Sequence, residues 1–141
     1  MQHKFNSAGS TIICGELILL AKRINYYKGQ KVNFGGYWSI FGGEREPSSE
    51  QPIHCAGREL FEETGIKLKS SDLNHVCALR RGIYFFDVYV SYMEEIPQIK
   101  LNEEHTEYGW FTIDHLNVSP DPMDEELRNA IISYHTKRKS K

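Results

Sequence analysis

The sequence lacks three features that would place it in a specialised class: paired cysteines, a long apolar run and an excess of one charge. Its three cysteines, Cys14, Cys55 and Cys77, are an odd number without a close pair, which argues against a disulfide scaffold or a zinc ribbon. No apolar run approaches a membrane span, and residues 1–10 have no apolar core, so we expect neither a signal peptide nor a membrane partner. These absences predict a cytoplasmic protein with reduced thiols.

The charge balance and the length of the chain indicate which partners and how many domains to expect. The formal net charge is −2 at pH 7, and only a short basic tail occupies residues 137–141, so we expect no nucleic acid polymer as a partner. The 141 residues suffice for a hydrophobic core and predict a single domain over residues 1–141. The sequence leaves open whether the protein is a monomer or a homodimer.

Strand-like and helix-like segments alternate along the chain. Apolar runs bounded by Gly and Pro predict strands at residues 12–14, 17–20, 38–41, 76–79, 83–92 and 108–113. Helices are predicted from residue 51 or 52 to 64 and over 123–138, and residues 24–37 are predicted to form a loop rich in aromatic residues. The strand over 83–92 is apolar on both faces, which is typical of a central strand. The order predicts an α/β/α sandwich with a mixed β-sheet between helices.

The segment from residue 42 to 66 concentrates negative charge. Glu59, Glu62 and Glu63 are spaced i, i+3 and i+4, so they share one face of the predicted helix. Like charges crowded on a helix face destabilise the helix. Hard divalent cations, which prefer oxygen ligands, are the natural partners that would offset this repulsion.

The same segment carries the signature of a known family. After Gly42 and Gly43 the chain places Glu50, then seven residues, then the run Arg58-Glu59-Leu60-Phe61-Glu62-Glu63-Thr64-Gly65-Ile66. This arrangement resembles the Nudix (MutT-like) hydrolases. The chain differs in having six rather than five residues between Gly43 and Glu50, with the insertion at Ser48-Ser49, and in having Phe41 where the family usually has proline. The run from Glu104 to Phe111, EHTEYGWF, is similar to a downstream segment of the family.

The resemblance implies hydrolysis of a diphosphate linkage by a protein with the Nudix sandwich fold. It implies Mg²⁺, with Mn²⁺ as a substitute, held by the Gly42 carbonyl and by the carboxylates of Glu59, Glu62, Glu63 and Glu104. Arg58 would orient a catalytic glutamate. The general base is left open among Glu59, Glu104 and His105, because each would need only hydrogen-bond reach of the attacking water.

The resemblance also implies a nucleoside diphosphate derivative as the small-molecule substrate. Because residues 79–82 lack the proline typical of ADP-ribose hydrolases, the sequence favours a nucleoside triphosphate pyrophosphohydrolase that releases a nucleoside monophosphate and pyrophosphate. The alternatives are a dinucleoside polyphosphate or nucleotide-sugar hydrolase, a catalytically silent nucleotide-binding module, and an isoprenoid diphosphate isomerase. Candidate substrate-binding residues are Arg23 and Arg80 for phosphates and Tyr37 and Tyr84 for the base, with Tyr26, Tyr27 and Phe34 as further stacking candidates.

Overall fold

The computed structural model describes residues 5–32, 34–46, 49–118 and 122–139. Nine strands and three α-helices are assigned in these residues, with one short 3₁₀ turn at Ser70–Asp72. The strands are β1 Phe5–Cys14, β2 Leu17–Arg23, β3 Tyr26–Tyr27, β4 Gln30–Lys31, β5 Trp38–Ser39, β6 Phe41–Glu44, β7 Asn74–Arg81, β8 Tyr84–Met93 and β9 His105–Thr112. The helices are α1 Pro52–Thr64, α2 Ile113–Val118 and α3 Glu125–Lys139.

Seven of the strands form one mixed sheet. β1 runs parallel to β8 and antiparallel to β2 and β6, whereas β7 and β9 pair antiparallel with β8 and β2. β1 and β2 pair only next to their turn, at Ile13–Ile18 and Cys14–Leu17. Beyond that point β5 pairs with β2 and β6 pairs with β1, so the segment 38–44 runs across the gap where the two strands diverge.

Helices cover both faces of this sheet. On one face α2 and α3 pack with Ile13, Leu20, Val88 and Val90 in one apolar cluster. On the other face α1 buries Cys55, Ala56 and Leu60 against β1, β6 and neighbouring strands. β8 contributes side chains to both layers. The α/β/α sandwich with a mixed sheet is therefore confirmed, as is the internal position of β8.

Local signals set the ends of α1 as the sequence predicts. Proline stands in the first turn at Pro52, where no intrahelical N–H donor is required. Gly65 adopts φ 80°, and its N–H donates to the carbonyl of Phe61 at 2.9 Å. A left-handed residue at this position is the usual helix stop, and glycine adopts it without steric cost.

Three parts of the fold differ from the sequence prediction. β1 begins at Phe5 rather than at residue 12, because small and polar residues such as Ala8 and Ser10 fill its buried first half. Ile113 starts the short helix α2 instead of ending a strand, with its N–H bonded to the Glu16 carbonyl. The predicted loop at 24–37 contains the small β3–β4 hairpin. Across the described ranges, no helix is long and apolar enough to cross a membrane.

Candidate active site

Helix α1 directs two of its three glutamates into the protein. Glu59 and Glu63 are 8% and 1% exposed, whereas the side chain of Glu62 is 47% exposed. β6 approaches the first of these closely, since a Cβ atom added to Gly43 would lie 2.5 Å from Glu59 Oε1. Glycine at position 43 therefore leaves room for a buried carboxylate beside the strand.

The buried pair is electrostatically unfavourable without a partner. Burial raises the pKa of Glu63, and the hydrogen bond and charge of Glu59 raise it further, with a contribution from Glu104. Burial also raises the pKa of Glu59. Glu63 Oε2 has no hydrogen-bond partner among the described residues. Two buried carboxylates with an unsatisfied oxygen suit a hard cation, which prefers charged oxygen ligands.

The protein side chains alone do not assemble a complete cage. Within the part of the chain that the structure describes, no three His, Cys, Asp or Glu side chains are gathered around one potential cation position. The third glutamate of the helix face, Glu62, is instead held by Arg58 at 3.1 Å. Carboxylate donors fit Mg²⁺, which keeps several water ligands and needs only one or two protein carboxylates. The role of the Gly42 carbonyl stays a prediction.

Arg58 is the centre of a dense ion-pair network. Its Nε and Nη2 atoms donate to the two oxygens of Glu50 at 2.8 and 3.1 Å. Nη1 lies 3.1 Å from Glu59 Oε1 and 2.8 Å from Glu46 Oε1, and Nη2 also donates to the carbonyl of Glu44. The carboxylates of Glu50, Glu62 and Glu59, led by Glu50, raise the pKa of Arg58. The guanidinium is therefore fixed beside Glu59 from several directions.

Glu50 occupies a more definite position in the structure than the sequence alone indicates. Its side chain is 9% exposed, forms the bidentate pair with Arg58 and accepts the N–H of Glu46 at 3.1 Å. The one-residue insertion before it, at Ser48-Ser49, thus leaves Glu50 in contact with the motif arginine. Ser48 lies outside the described residues. The spacing of seven residues between Glu50 and Arg58 was the signal for this contact.

Two further candidates lie at the start of β9: His105 is its first residue, and Glu104 immediately precedes it. His105 is buried with its ring edge against Phe41, and its Nε2 lies 3.5 Å from Glu63 Oε1. Burial, and secondarily the charge of Arg23, lowers the pKa of His105 to about 4, so the ring is neutral at pH 7. Glu104 is exposed and accepts a hydrogen bond from Asn102 Nδ2 at 3.1 Å.

A cavity of about 190 Å³ is linked to these groups by one residue of its wall, Arg23. Arg23 is common to both regions, because it lines the cavity and its charge acts on Glu63 and His105. Tyr37 also lines the cavity, so two of the four predicted substrate-binding residues are brought together. The other lining residues are Ser7, Phe34, Trp38, Ser39, Arg81, Phe86, Asp124 and Leu127.

The remaining two substrate candidates, Arg80 and Tyr84, are not among the residues that line this cavity, and their part in substrate binding stays a prediction. Successive residues of a strand point to opposite faces, so Arg81 rather than Arg80 faces α3, where it forms an ion pair with Asp124. Arg80 Nε donates to the Gly82 carbonyl at 3.0 Å. Tyr84 is the first residue of β8 and is 43% exposed near the hairpin turn.

Comparisons with known proteins agree with the fold and the motif. Residues 5–134 match the family model described as NUDIX domain. A protein of Invertebrate iridescent virus 3 is 28% identical over 104 residues, which cover 73% of this chain and 56% of the viral protein. The chain therefore spans about half the length of that relative.

Solved structures show the same architecture at low sequence identity. A MutT protein from Methanosarcina mazei superposes with a TM-score of 0.71 at 21% identity, covering 99% of both chains. A bifunctional NMN adenylyltransferase/ADP-ribose pyrophosphatase from Francisella tularensis, complexed with AMP and a manganese ion, gives 0.67 at 22% identity, covering 98% of this chain and 42% of that one. From the domain match, the motif and the sandwich fold together, the chain belongs to the Nudix hydrolase family.

Proposed function

We propose that the protein hydrolyses a diphosphate linkage in a nucleoside diphosphate derivative and depends on magnesium. The observation that carries this proposal is the buried pair Glu59 and Glu63, which is unfavourable on its own and lies beside an arginine-lined cavity. A divalent cation would stabilise the pair, and the cavity would hold the nucleotide. Manganese in the Francisella structure is consistent with a divalent cation in this family.

Glu59 and Glu63 are the proposed cation ligands, with Glu62, Glu104 and the Gly42 carbonyl as further donors. When bound, the cation would neutralise phosphate oxygens and lower the pKa of a coordinated water. The contribution of this chain is to hold the carboxylates in place. Glu63 is fixed by burial in α1 beside His105, and Glu59 is fixed between Gly43 and Arg58.

Arg58 is proposed as a positioning residue. It reaches Glu59 and Glu62 while Glu50 holds its other edge in a bidentate pair. A planar guanidinium held at two edges has little rotational freedom, so it fixes the orientation of the carboxylates it contacts. This arrangement supports the role implied by the family motif.

Glu104 is proposed as the general base, chosen from the three candidates. It is exposed, its carboxylate is oriented by Asn102, and its charge acts on Glu63. These features would let it accept a proton from a water in the cleft. His105 is buried against Phe41 beside Glu63 and is better suited to packing that carboxylate, and Glu59 is committed to Arg58.

The first substrates to test are nucleoside triphosphates. The base would lie in the 190 Å³ cavity, where Tyr37, Phe34 and Phe86 offer aromatic surfaces. Arg23, between the cavity and Glu63, would contact the phosphates. A nucleotide sugar is the second candidate, since the same groups would hold its nucleoside diphosphate part.

A substrate screen tests the proposal. Purified protein is incubated with nucleoside triphosphates and ADP-ribose in magnesium, in manganese and in EDTA, and the products are identified by mass. We expect cation-dependent release of a nucleoside monophosphate and pyrophosphate, and no release in EDTA or by Glu63→Gln. Nucleotide binding without turnover of any substrate would support a silent binding module instead.

A further inference from the structure

The segment between β2 and β5 forms a second, larger cavity of about 510 Å³ that none of the assignments above uses. Among the described residues, its lining comes from the β3–β4 hairpin and the residues next to it: Asn25, Tyr26, Lys31, Val32, Phe34, Gly35 and Tyr37. Phe34 and Tyr37 also line the first cavity. The two cavities are therefore neighbours that share two aromatic wall residues.

The aromatic side chains of the second cavity are unusually open. Tyr26 is 67% exposed and Phe34 is 52% exposed, so neither ring is there to fill the core. Phe34 also has a φ of 59°, a conformation that bulky residues rarely adopt and that is concentrated at functional sites. Its ring meets Tyr37 edge to face at 5.4 Å between centroids. Exposed aromatic faces of this kind are suited to stacking on a planar ring.

The backbone at Arg23 and Ile24 connects the wall shared by the two cavities with the loop before β9. Arg23 itself is bonded to that wall. Its N–H donates to the Tyr37 carbonyl at 2.9 Å, and its own carbonyl accepts the N–H of Gly36 at 2.8 Å. The next residue, Ile24, donates to the Glu104 carbonyl at 3.1 Å. A phosphate chain held at Arg23, which lines the first cavity, would thus lie close to the Phe34–Tyr37 wall that the second cavity shares.

The charge at the second cavity matches an anionic ligand. Lys31 lines it and lies opposite Tyr26 in the hairpin register. A lysine beside exposed aromatic rings suits a ligand that joins a planar base to phosphate groups. A nucleoside triphosphate bound in the first cavity has no second ring to place here, and a nucleotide sugar has none either.

We propose that the second cavity binds a second aromatic base at the far end of the phosphate chain. The preferred substrates are then dinucleoside polyphosphates. This inference rests on the proposed function. In the reaction one water adds across one P–O–P linkage, so that one phosphorus gains a hydroxyl group, the other leaves with the bridging oxygen, and two nucleotides are produced.

The experiment compares three substrates that share an adenosine: ATP, ADP-ribose and diadenosine tetraphosphate. The variants are Tyr26→Ala, which removes the exposed ring, and Tyr26→Phe, which keeps it. The wild type is expected to show the highest kcat/KM with diadenosine tetraphosphate. Tyr26→Ala should lower that value by about tenfold through KM, because one stacking contact is lost. It should leave ATP and ADP-ribose unchanged, and Tyr26→Phe should behave as wild type.

Two outcomes would overturn the inference. One is equal kcat/KM for ATP and diadenosine tetraphosphate in the wild type. The other is a loss in Tyr26→Ala that is the same for all three substrates, or absent for all three, in a variant whose circular dichroism matches wild type. Failure of the proposed function is a separate result, because then no substrate would be hydrolysed in magnesium.

Discussion

Helix α1 and the segment 24–37 place functional side chains in opposite ways. α1 has thirteen residues, a proline at its start and a left-handed glycine after its end. It carries two buried carboxylates, of which Glu59 contacts the fixed Arg58. The segment 24–37 has two strands of two residues each, and its aromatic rings are largely exposed. Burial and ion pairs constrain α1, whereas few tertiary contacts constrain the segment 24–37.

This difference matches the two tasks that a hydrolase must perform. Chemistry on a phosphate needs charges held in place before substrate arrives, which requires rigid support. Recognition of a base can use aromatic surfaces that adjust to the ligand. The proposed division is therefore that α1 determines the reaction and the segment 24–37 determines the substrate. Changes in α1 should lower turnover of every substrate, and changes in the segment should alter the ranking of substrates.

The largest expected effect is that of Glu63→Gln. The substitution keeps the shape of the buried side chain and removes its charge, so the magnesium-dependent rate should fall at least about a hundredfold for every substrate. Glu62→Gln is the matched control on the same helix, and its half-exposed side chain predicts a smaller loss. Near-normal turnover by Glu63→Gln would contradict the cation assignment.

Arg58→Ala should give the next largest effect. Removing the guanidinium leaves Glu50 without its bidentate partner and frees Glu59 and Glu62. We expect kcat to fall by about ten- to a hundredfold with KM unchanged, and the free energy of unfolding to fall by roughly 1–3 kcal/mol. Steady-state kinetics and urea unfolding measure these two quantities. A rise in KM at constant kcat would mean that Arg58 binds substrate instead.

Two glycine-to-alanine substitutions distinguish the effect of crowding the Glu59 carboxylate from the effect of a higher helix propensity. In Gly43→Ala the new Cβ would overlap the Glu59 carboxylate, so we expect about a tenfold lower kcat as that carboxylate is displaced. In Gly57→Ala the new Cβ would meet only Leu73 Cδ1 at an ordinary 3.6 Å. That variant should keep full activity and gain about 0.5–1 kcal/mol of stability. Equal activity of the two variants would argue against a role for the close approach of β6.

The smallest effect is expected at the two residues that lie outside the cavity. Arg80→Ala and Tyr84→Phe should leave kcat/KM unchanged for all substrates, because neither residue is among those that line the 190 Å³ cavity. Arg81→Ala is the comparison, since it removes a lining residue and the partner of Asp124. A specific loss in Arg80→Ala would show that the strand face has been assigned wrongly.

The sequence predicts the helix site well because its signals are local. Pro52, Gly65 and the spacing of the glutamates lie within one element, so the ends of α1 and the shared face follow from helix geometry. The burial of Glu63 rather than Glu62 does not follow so directly. At about 100° per residue, Glu63 lies about 40° from Glu59 around the helix, and Glu62 lies about 60° from Glu59 in the opposite direction. Which of the two is buried depends on how α1 packs against the sheet.

The cavity walls could not be predicted for a different reason. They depend on which residues of distant strands face the same side, and a shift of one position reverses a strand's faces. Arg81, one position after the predicted Arg80, is the residue that lines the cavity. Asp124 precedes α3 and pairs with Arg81 because α3 packs beside β7. The short helix α2 was missed because six residues hold too little periodicity to distinguish it from a strand end.

The central claim is that the buried pair on α1 exists to bind a divalent cation, and direct binding of Mn²⁺ tests it without any substrate. Titration followed by electron paramagnetic resonance would compare the wild type with Glu63→Gln and with Tyr26→Ala. The account predicts saturable binding by the wild type and by Tyr26→Ala, and loss of that binding in Glu63→Gln. Equal Mn²⁺ affinity in the wild type and Glu63→Gln, with both proteins folded, would contradict it.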